Sequence, residues 1–442
     1  MITFSKLEKK GNLGNQLFQI ASTIGIAELN NHSFCFPKWK YGYYFENQLP
    51  LTNNSNFDSY IEKQFHFKKI KLDNKKNYDL QGWFQSEKYF NIKKTKEYFT
   101  FKKSIIHKVK NEFSKLLEKE TILISIRRGD FVDHKDYFQL PIGFYLGALF
   151  HNFRHWRKCN IVVMSDDFNY CKYHFSSLDN VYFSNNLSGI EQLILASLCN
   201  HFIISNSTFS WWCAWFGEKE NSKIIRPLHN FTKVKNLESN DKNYFPDRWS
   251  IYNHLNTKFK LHNVQFLLRN KNSIIENHLN HNFIFDKIMV QSQNASNINE
   301  NNVLTSVYIN DMVIPPLTIC EAVYKNQKLN QNVTCFLNFQ PLKISKVLDR
   351  KRLLKQFDFG IFTQYISKFK ENKNKKLAFA VVKKSESINN FHAVQINDSK
   401  VMVTHATLIK GLFYFNTFLI YNYYEFMKFF RIKVSRLIAK IK

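Results

Sequence analysis

Short apolar stretches alternate with amphipathic stretches from about residue 11 to residue 255. Five apolar stretches, mostly β-branched or aromatic, end in polar clusters: TILISIRRGD, CNIVVMSDD, VYFSNN, HFIISNS and SKIIRP. Continuous apolar runs of this length are typical of parallel strands covered on both faces. Between them, SGIEQLILASLCN and TFSWWCAWFGEK have the apolar spacing of helices. The pattern predicts a layered α/β fold.

Polar side chains follow three of these predicted strands. An arginine pair, Arg127 and Arg128, ends the first strand, Asp166 and Asp167 end the second, and the cluster 205–208 ends another. In open parallel sheets, ligands bind beyond the carboxyl ends of the strands. We therefore expect these groups to converge on one edge of the sheet.

The cluster 205–208 precedes a predicted helix, with Ser207 or Thr208 as its N-cap. Amides of a first helical turn lack internal partners and the helix dipole favours negative charge, so such a turn suits an anion. Taken alone, the cluster is more often an ordinary helix cap than an anion site, and Asp166 and Asp167 are at least as often caps of the helix after them. The nearby arginines favour a diphosphate site, because charge-assisted hydrogen bonds contribute ~1.5–3 kcal/mol each.

The segment from Gly11 to Gln19 is a glycine-rich turn that leads into an amphipathic helix. Its glycine spacing differs from the dinucleotide-binding fingerprint, so a nicotinamide site is disfavoured. The carboxamides of Asn15 and Gln16 suit neutral hydrogen bonds to sugar or phosphate oxygens. The sequence contains neither an Asp-x-Asp pair nor a Walker lysine, and we expect no metal and no cofactor.

Composition adds limits rather than a function. The 442 residues are 44% hydrophobic and carry a net charge of +28. Residues 256–442 hold 28 Lys and Arg against 11 Asp and Glu, a net +17, which leaves +11 for residues 1–255. A positive balance fits an anionic partner, but no nucleic-acid recognition motif accompanies it. Seven scattered cysteines and an N-terminus without a signal-peptide core predict a reduced, cytosolic protein.

The C-terminal part has its own organisation. Residues 256–302 are predicted to be linker-like, with the Asn-rich stretch KIMVQSQNASNINENN at their end. Residues 303–442 form a basic region of uncertain fold that carries no catalytic motif. Its end, residues 427–442, has the pattern of a basic amphipathic helix. This helix either packs on its own domain or rests on the anionic inner face of a membrane.

Several stretches together resemble the α-1,2-fucosyltransferases of glycosyltransferase family 11. They are GNLGNQLFQIA, GWFQSEKYF, ISIRRGDFV, VVMSDD, EQLILASLCNHFIISNSTFSWWCAWF and KIIRP, in the family order over about residues 11–250. The resemblance implies a GT-B-like fold with two Rossmann-like halves and a metal-independent, inverting transfer of fucose from GDP-β-L-fucose to a galactoside. Residues 1–255 would be the transferase domain, with an acceptor-side half at about 1–115 and a donor-binding half at about 116–255.

The resemblance also implies roles for individual residues. Arg127 and Arg128 would neutralise the diphosphate, Asp166 or Asp167 would contact the guanosine, and Asn15 would lie near the leaving phosphate. The expected catalytic residues are Arg127, Asn15 and Asp130. The expected donor-binding residues are Arg127, Arg128, Asp166, Asp167, Asn206, Ser207, Thr208, Ser210, Gly14, Asn15 and Gln16.

One departure bears on activity. Family members usually carry His two residues before the arginine pair, where this chain has Ser125, and strand alternation predicts that position 125 faces the same side as Arg127. Candidates for a base that deprotonates the acceptor are Asp130 and His134, and Asp130 could equally orient an arginine.

Our hypothesis is a cytosolic enzyme that moves fucose from GDP-fucose to the 2-hydroxyl of a galactoside in the synthesis of a glycan. The alternatives are another GDP-sugar transferase with a different linkage and a non-catalytic relative that binds glycan or GDP. A basic nucleic-acid-binding protein is the alternative from a different class, favoured by net charge alone.

Overall fold

The computed structural model describes residues 1–52, 56–132, 134–175, 177–254, 258–268, 273–290, 305–309 and 315–329, and the backbone of strands 333–337, 376–383 and 392–396. The chain divides into two compact units. The first unit is Met1–Phe168 with Asn180–Asn256, and the second is Asn169–Asp179 with Thr257–Lys442.

The first unit opens with a parallel four-stranded sheet in the order β2-β1-β4-β3. Its strands are β1 (Ile2–Thr3), β2 (Phe34–Cys35), β3 (Asp58–Ile61) and β4 (Tyr78–Gln81). The helices of this half are α1 (Leu13–Leu29), α2 (Ile92–Tyr98), α3 (Lys103–Glu112) and α4 (Ser114–Leu117). Strand β2 lies on one side of β1 in the sheet, and β4 and β3 lie on the other side of β1. The sheet therefore has a topological switch point between β1 and β4, where a crevice opens at the carboxyl ends of the strands.

The second sheet of this unit has six parallel strands in the order β10-β9-β8-β5-β6-β7. They are β5 (Thr121–Ile126), β6 (Asn160–Ser165), β7 (Val181–Phe183), β8 (His201–Ile204), β9 (Ile224–Arg226) and β10 (Ser250–Ile251). The helices of this half are α5 (Ile142–Asn152), α7 (Gly189–Leu198), α8 (Thr208–Gly217) and α9 (Lys233–Ser239). Helix α6 (Phe168–His174) belongs, from Asn169 on, to the second unit. The switch point here lies between β5 and β8, so the segments after these two strands border one crevice.

One core joins the two sheets of the first unit. Helix α1, from the first half, packs on α8, from the second. The Phe18 ring lies 4.6 Å from the Trp211 ring and 5.2 Å from the Trp212 ring, and Phe90 stacks on Trp212 at 5.6 Å. The prediction of an α/β protein with two Rossmann-like halves, as in GT-B-like proteins, is confirmed. The division expected near residue 115 falls in α4 and stays a prediction.

The second unit contains a mixed six-stranded sheet in the order β14-β12-β15-β17-β16-β18, in which β17 is antiparallel to both neighbours. The strands of this unit, with the separate pair β11 and β13, are β11 (Phe259–Lys260), β12 (Val264–Leu268), β13 (Phe283–Ile284), β14 (Lys287–Val290), β15 (Thr305–Ile309), β16 (Val333–Leu337), β17 (Lys376–Lys383) and β18 (His392–Ile396). Its helices include α10 (Ser273–Asn282) and α11 (Ile319–Lys328).

The prediction that residues 256–302 form a linker is wrong for the part that the structure describes. Residues 258–268 and 273–290 instead form strands and a helix, and β12 is an interior strand with five consecutive buried residues. The short run VQFLL has strand character, but the Asn-rich sequence around it hides that signal. The predicted amphipathic helix at 427–442 lies outside the described residues. In the part of the chain that the structure describes, no helix combines the length and apolar character needed to cross a bilayer.

We predict that Gly25→Ala lowers the free energy of unfolding by about 2 kcal/mol or more, because overpacking costs on the order of 1–3 kcal/mol and here the obstacle is backbone. A Cβ at Gly25 in α1 would collide with the carbonyl oxygen of Tyr89 and lie 2.7 Å from the amide nitrogen of Asn91. Urea unfolding measures the change. The control is Gly42→Ala, where the nearest atom is Gln48 Oε1 at 3.5 Å; equal effects of the two substitutions would contradict this packing.

Candidate active site

A cleft of about 340 Å³ lies within the first unit, where segments from both sheets meet. The switch point of the first sheet contributes Asn15, which follows β1, and Gln85, which follows β4. The switch point of the second sheet contributes Arg127, which follows β5, and Thr208, which follows β8. We call this space the main cleft; its lining is Asn12, Leu13, Gly14, Asn15, Gln16, Lys40, Tyr41, Gln85, Arg127, Asp130, Phe131, Tyr137, Gly189, Asn206, Ser207, Thr208, Phe209, Asn230 and Tyr244.

Two helix N-termini reach the main cleft side by side. Helix α1 follows Asn12, and α8 follows Ser207, whose Oγ accepts a hydrogen bond from the Phe209 amide at 3.2 Å. The approach depends on Gly14, because a Cβ there would lie 2.6 Å from the Phe209 amide nitrogen and 2.7 Å from Thr208 Oγ1. Both first turns carry partial positive charge and amides without intrahelical partners. The pair is therefore suited to a bound anion.

Arg127 supplies a full positive charge to the same cleft. Its Nε and Nη2 donate to Asp130 Oδ1 at 3.0 and 2.6 Å, and its Nη1 lies 3.0 Å from Asp166 Oδ2. The Asp130 side chain is 64% exposed and that of Asp166 only 25%. Since exposed ion pairs are weak, an incoming anion can replace Asp130 on one edge of the guanidinium while Asp166 still holds the other edge.

Asp166 also fixes the loop that carries the arginines. Its Oδ1 accepts a hydrogen bond from the Arg128 amide at 2.9 Å, and only the absence of a side chain on Gly129 leaves room for its carboxylate. Arg128 Nε lies 3.3 Å from Asp167 Oδ2. Arg128, Asp166 and Asp167 are not among the residues that line the main cleft. The structure gives Asp166 a positioning role, and the expected contacts of these three residues with a nucleotide stay predictions.

Ser125 and Ser210 lie beneath the site rather than in it. Their hydroxyls are 2.7 Å apart, Ser210 Oγ is also 2.7 Å from Ser205 Oγ, and Ser125 and Ser210 are 3% and 2% exposed. Both side chains are packed between β5 and α8. Neither residue lines the main cleft. The structure therefore does not support contact of Ser210 with a phosphate, and the position at which this chain has Ser125 in place of the usual His lies outside the cleft lining.

Carboxamides shape the remaining walls of the cleft. Asn15 Oδ1 accepts from Gln85 Nε2 at 2.7 Å. Gln16 donates to the Gly11 carbonyl and accepts from Trp39 Nε1 at 2.9 Å. Asn206 Nδ2 donates to two backbone carbonyls, at 2.9 and 2.6 Å. Gln16 and Asn206 are thus engaged in holding loops, whereas Asn15 is held by another side chain at the cleft surface.

The cleft residues that the sequence reasoning missed include Lys40, Gln85 and Tyr137. Gln85 stands in GWFQSEKYF, which marked the family resemblance without indicating a role. Lys40 and Tyr137 lie in loops with no recognisable pattern. Tyr137 stacks on Phe131 at 4.6 Å, and its pKa is raised by burial and by the nearby carboxylates of Asp136 and Asp130, so the phenol stays neutral. His134 packs against Tyr137 at 4.9 Å and does not line the cleft.

The cleft therefore presents a guanidinium, helix amides and neutral carboxamides to a small anionic ligand. Within the described residues, no three His, Cys, Asp or Glu side chains are grouped as a metal site would require. The α/β fold and an anion-binding cleft at two switch points are typical of enzymes that use nucleotide-linked substrates.

The family is shown by comparison with known proteins. Residues 4–252 match the model of glycosyl transferase family 11, and the chain belongs to this family. It is therefore a glycosyltransferase.

Individual relatives are more distant. An alpha-1,2-colitosyltransferase of Escherichia coli is 27% identical over 198 residues, 43% of this chain and 67% of the relative. The O-antigen biosynthesis glycosyltransferase WbnK of Escherichia coli is 34% identical over 115 residues, 24% of this chain and 38% of the relative. The crystal structure of fucosyltransferase NodZ from Bradyrhizobium is 10% identical with a TM-score of 0.35, covering 48% of this chain and 91% of that chain.

We predict that Ser210→Ala and Thr208→Val separate stability from ligand binding. Loss of the Ser210 hydroxyl removes its contacts with Ser125 and Ser205 and should lower the free energy of unfolding by about 1–2 kcal/mol, with GDP affinity changed less than twofold. Thr208→Val should weaken GDP binding about five- to tenfold, as loss of one hydrogen bond implies. Chemical unfolding and calorimetric titration with GDP measure the two effects. A larger loss of GDP affinity in the Ser210 variant would show that the cleft is assigned to the wrong face of α8.

Proposed function

We propose that this chain transfers a 6-deoxy-L-hexose, L-fucose in the first instance, from its GDP-linked donor to the 2-hydroxyl of a terminal galactoside with inversion at the anomeric carbon. The observation that carries the proposal is the position of Arg127 beside the first turns of α1 and α8, at the switch point of each sheet. Family membership supplies the reaction class.

The chemistry of the reaction suits this arrangement. When the bond between the sugar and the phosphate breaks, negative charge develops on the GDP leaving group and positive charge on the sugar ring. Arg127, Lys40 and the first turns of α1 and α8 line the cleft, and they place positive charge where the diphosphate would lie. Because these groups are fixed before the reaction, they stabilise the developing charge more than the ground state.

An active enzyme is favoured over a binding-only relative. The Ser125 departure was the main argument for an inactive protein. Its side chain is buried in the hydroxyl cluster with Ser205 and Ser210 and does not line the main cleft. A serine there is compatible with a complete ligand surface.

The colitosyltransferase relative favours a second donor, GDP-colitose. Colitose is L-fucose without the 3-hydroxyl, so one cleft could accept either sugar depending on whether a side chain bonds that hydroxyl. A site built to bind a hydroxyl rejects the analogue that lacks it by about 10⁴–10⁵. The acceptor, a role in surface glycan or O-antigen synthesis, and contact of residues 427–442 with an anionic membrane remain parts of this proposal.

The direct test is an assay of the full chain with GDP-L-fucose and GDP-colitose against lactose, N-acetyllactosamine and related galactosides. We expect transfer from one of these donors, with an α-1,2 linkage assigned by NMR of the product. GDP binding without transfer to any acceptor in the panel would favour the binding-only relative. Transfer to a different hydroxyl would favour a GDP-sugar transferase of another linkage.

We predict that Arg127→Ala lowers kcat/KM at least 100-fold and weakens GDP binding more than tenfold, because hydrogen bonds to charged groups contribute about 1.5–3 kcal/mol. The matched control is Arg248→Ala. Arg248 is likewise held by two carboxylates, Glu87 and Glu218, at 2.6–2.8 Å, but lies outside the cleft lining. This control should lower the melting temperature and leave GDP affinity unchanged; near-normal turnover of Arg127→Ala would refute the phosphate assignment.

We predict that transfer continues at an undiminished rate in excess EDTA. The reason is that Arg127, Lys40 and two helix N-termini already offer positive charge to a diphosphate. The measurement compares initial rates after dialysis against EDTA with rates after addition of Mg²⁺ or Mn²⁺. A strict requirement for either ion would contradict this part of the proposal.

A further inference from the structure

A second cavity, of about 510 Å³, adjoins the main cleft. The two spaces share Asn15, Gln85 and Tyr137 as lining residues. The rest of this second space, which we call the side cavity, is bordered by residues 62–66 after β3 and by the region around α9. A molecule in the side cavity would meet the main cleft at the hydrogen-bonded pair Asn15 and Gln85.

The lining of the side cavity suits a neutral sugar. Trp83, Phe65 and Phe231 give it aromatic surface, and carboxylates and carboxamides stand among them. A pyranose presents apolar C–H groups on its faces and hydroxyls at its rim. Apolar walls with a few placed polar groups are typical of sites for such ligands.

Glu62 is the carboxylate that the fold holds most firmly at this cavity. Its Oε2 accepts from the Trp83 amide at 2.6 Å and its Oε1 from the Phe84 amide at 2.9 Å. A Cβ on Gly82 would lie 2.6 Å from Glu62 Oε2, so the glycine permits this approach. By contrast, Glu238 is 65% exposed and pairs with Lys235 at 3.2 Å. Each Glu62 oxygen keeps one lone pair beyond the amide bonds.

The surroundings of Glu62 favour proton transfer near neutral pH. Burial raises the pKa of Glu62 to about 7, against the opposing effects of the two amide hydrogen bonds and of Lys10. A general base works best when its pKa lies near the working pH. The titratable groups around it and around the cavity are Lys10, Tyr60, Tyr89, Lys63, His66, Asp136, Lys235 and Glu238.

We propose that Glu62 is the base that deprotonates the acceptor hydroxyl bound in the side cavity, an inference that rests on the transfer reaction proposed above. The acceptor oxygen forms the new bond to the anomeric carbon as the bond from that carbon to the phosphate oxygen breaks. The electron pair of the broken bond leaves with GDP. The acceptor proton passes to a carboxylate oxygen of Glu62 and later to water.

Asp130 is a poorer candidate for this role, because its Oδ1 is bound by two guanidinium nitrogens of Arg127. These two hydrogen bonds occupy the lone pairs of that oxygen, so it has none left for the acceptor proton. Glu62 has no arginine partner among the interactions of the described residues that involve it.

The test is the pH dependence of transfer from GDP-fucose, or from whichever donor the assay panel selects. Glu62 can accept a proton only when its carboxyl group is ionised. Wild-type kcat/KM for the acceptor should therefore fall tenfold per pH unit below about pH 7 and level off above it. Glu62→Gln should lower kcat at least 100-fold, within the range typical of a lost general base. It should also abolish the acidic limb of the pH profile, which is the fall in rate below about pH 7, and leave GDP affinity unchanged. Formate should restore activity to Glu62→Ala in a concentration-dependent way, which a merely structural role would not produce.

The control is Asp79→Asn, which alters a carboxylate that also accepts a backbone amide, that of Ser5 at 2.8 Å, away from both cavities. It should keep the wild-type profile. If Glu62→Gln does not fold, Glu62→Asp and the formate titration decide. Failure of the wild-type chain to transfer would overturn the proposed function, whereas wild-type transfer with a Glu62 variant of normal rate and normal pH limb would overturn the role of Glu62 alone.

Discussion

The close approach of α1 to α8 at Gly14 is the contact on which the site depends. It brings one helix N-terminus from each sheet to the same cleft, and a side chain as small as methyl at this position would separate them. The ring of Phe18, one turn further along α1, packs against Trp211 and Trp212 of α8. A large aromatic core thus fixes the position of two small polar turns, and the precision of the site comes from packing rather than from the polar groups themselves.

The arginine pair beside the main cleft is paired with carboxylates of the same chain. Arg127 and Arg128 face three carboxylates, those of Asp130, Asp166 and Asp167. These ion pairs avoid two adjacent unpaired cations and hold each guanidinium against a carboxylate. The exposed Asp130 is the partner that an anion can displace, since an exposed ion pair contributes about 0–1 kcal/mol, less than a charge-assisted bond to phosphate.

The sequence predicted the class of fold and the strand ends that carry the site, because continuous apolar runs and helical apolar spacing report burial directly. Arg127 and Thr208 follow β5 and β8 as the apolar runs predicted, and their roles in donor binding stay predictions. The family resemblance implied that Ser210, like Thr208, binds phosphate. Two residues along a helix, however, turn the side chain by about 200°, and Ser210 contacts Ser125 of β5. Glu62 could not be found from spacing, since its position depends on a loop after β3 meeting the turn after β4. The strands β12 and β14, which lie in the stretch predicted to be a linker, were hidden by the Asn-rich sequence around them.

The two cavities keep apart two opposing electrostatic requirements of glycosyl transfer, a positive environment for the leaving group and a less positive one for the base. The leaving diphosphate needs positive charge close by, but positive charge close to a carboxylate lowers its pKa and weakens it as a base. Asp130 lies on the arginine side of this conflict, with its Oδ1 engaged by two guanidinium nitrogens of Arg127. Glu62, held by backbone amides in a separate cavity, is removed from the arginine and gains basicity from burial. The neutral pair Asn15 and Gln85 at the shared boundary separates the two electrostatic environments without adding charge to either.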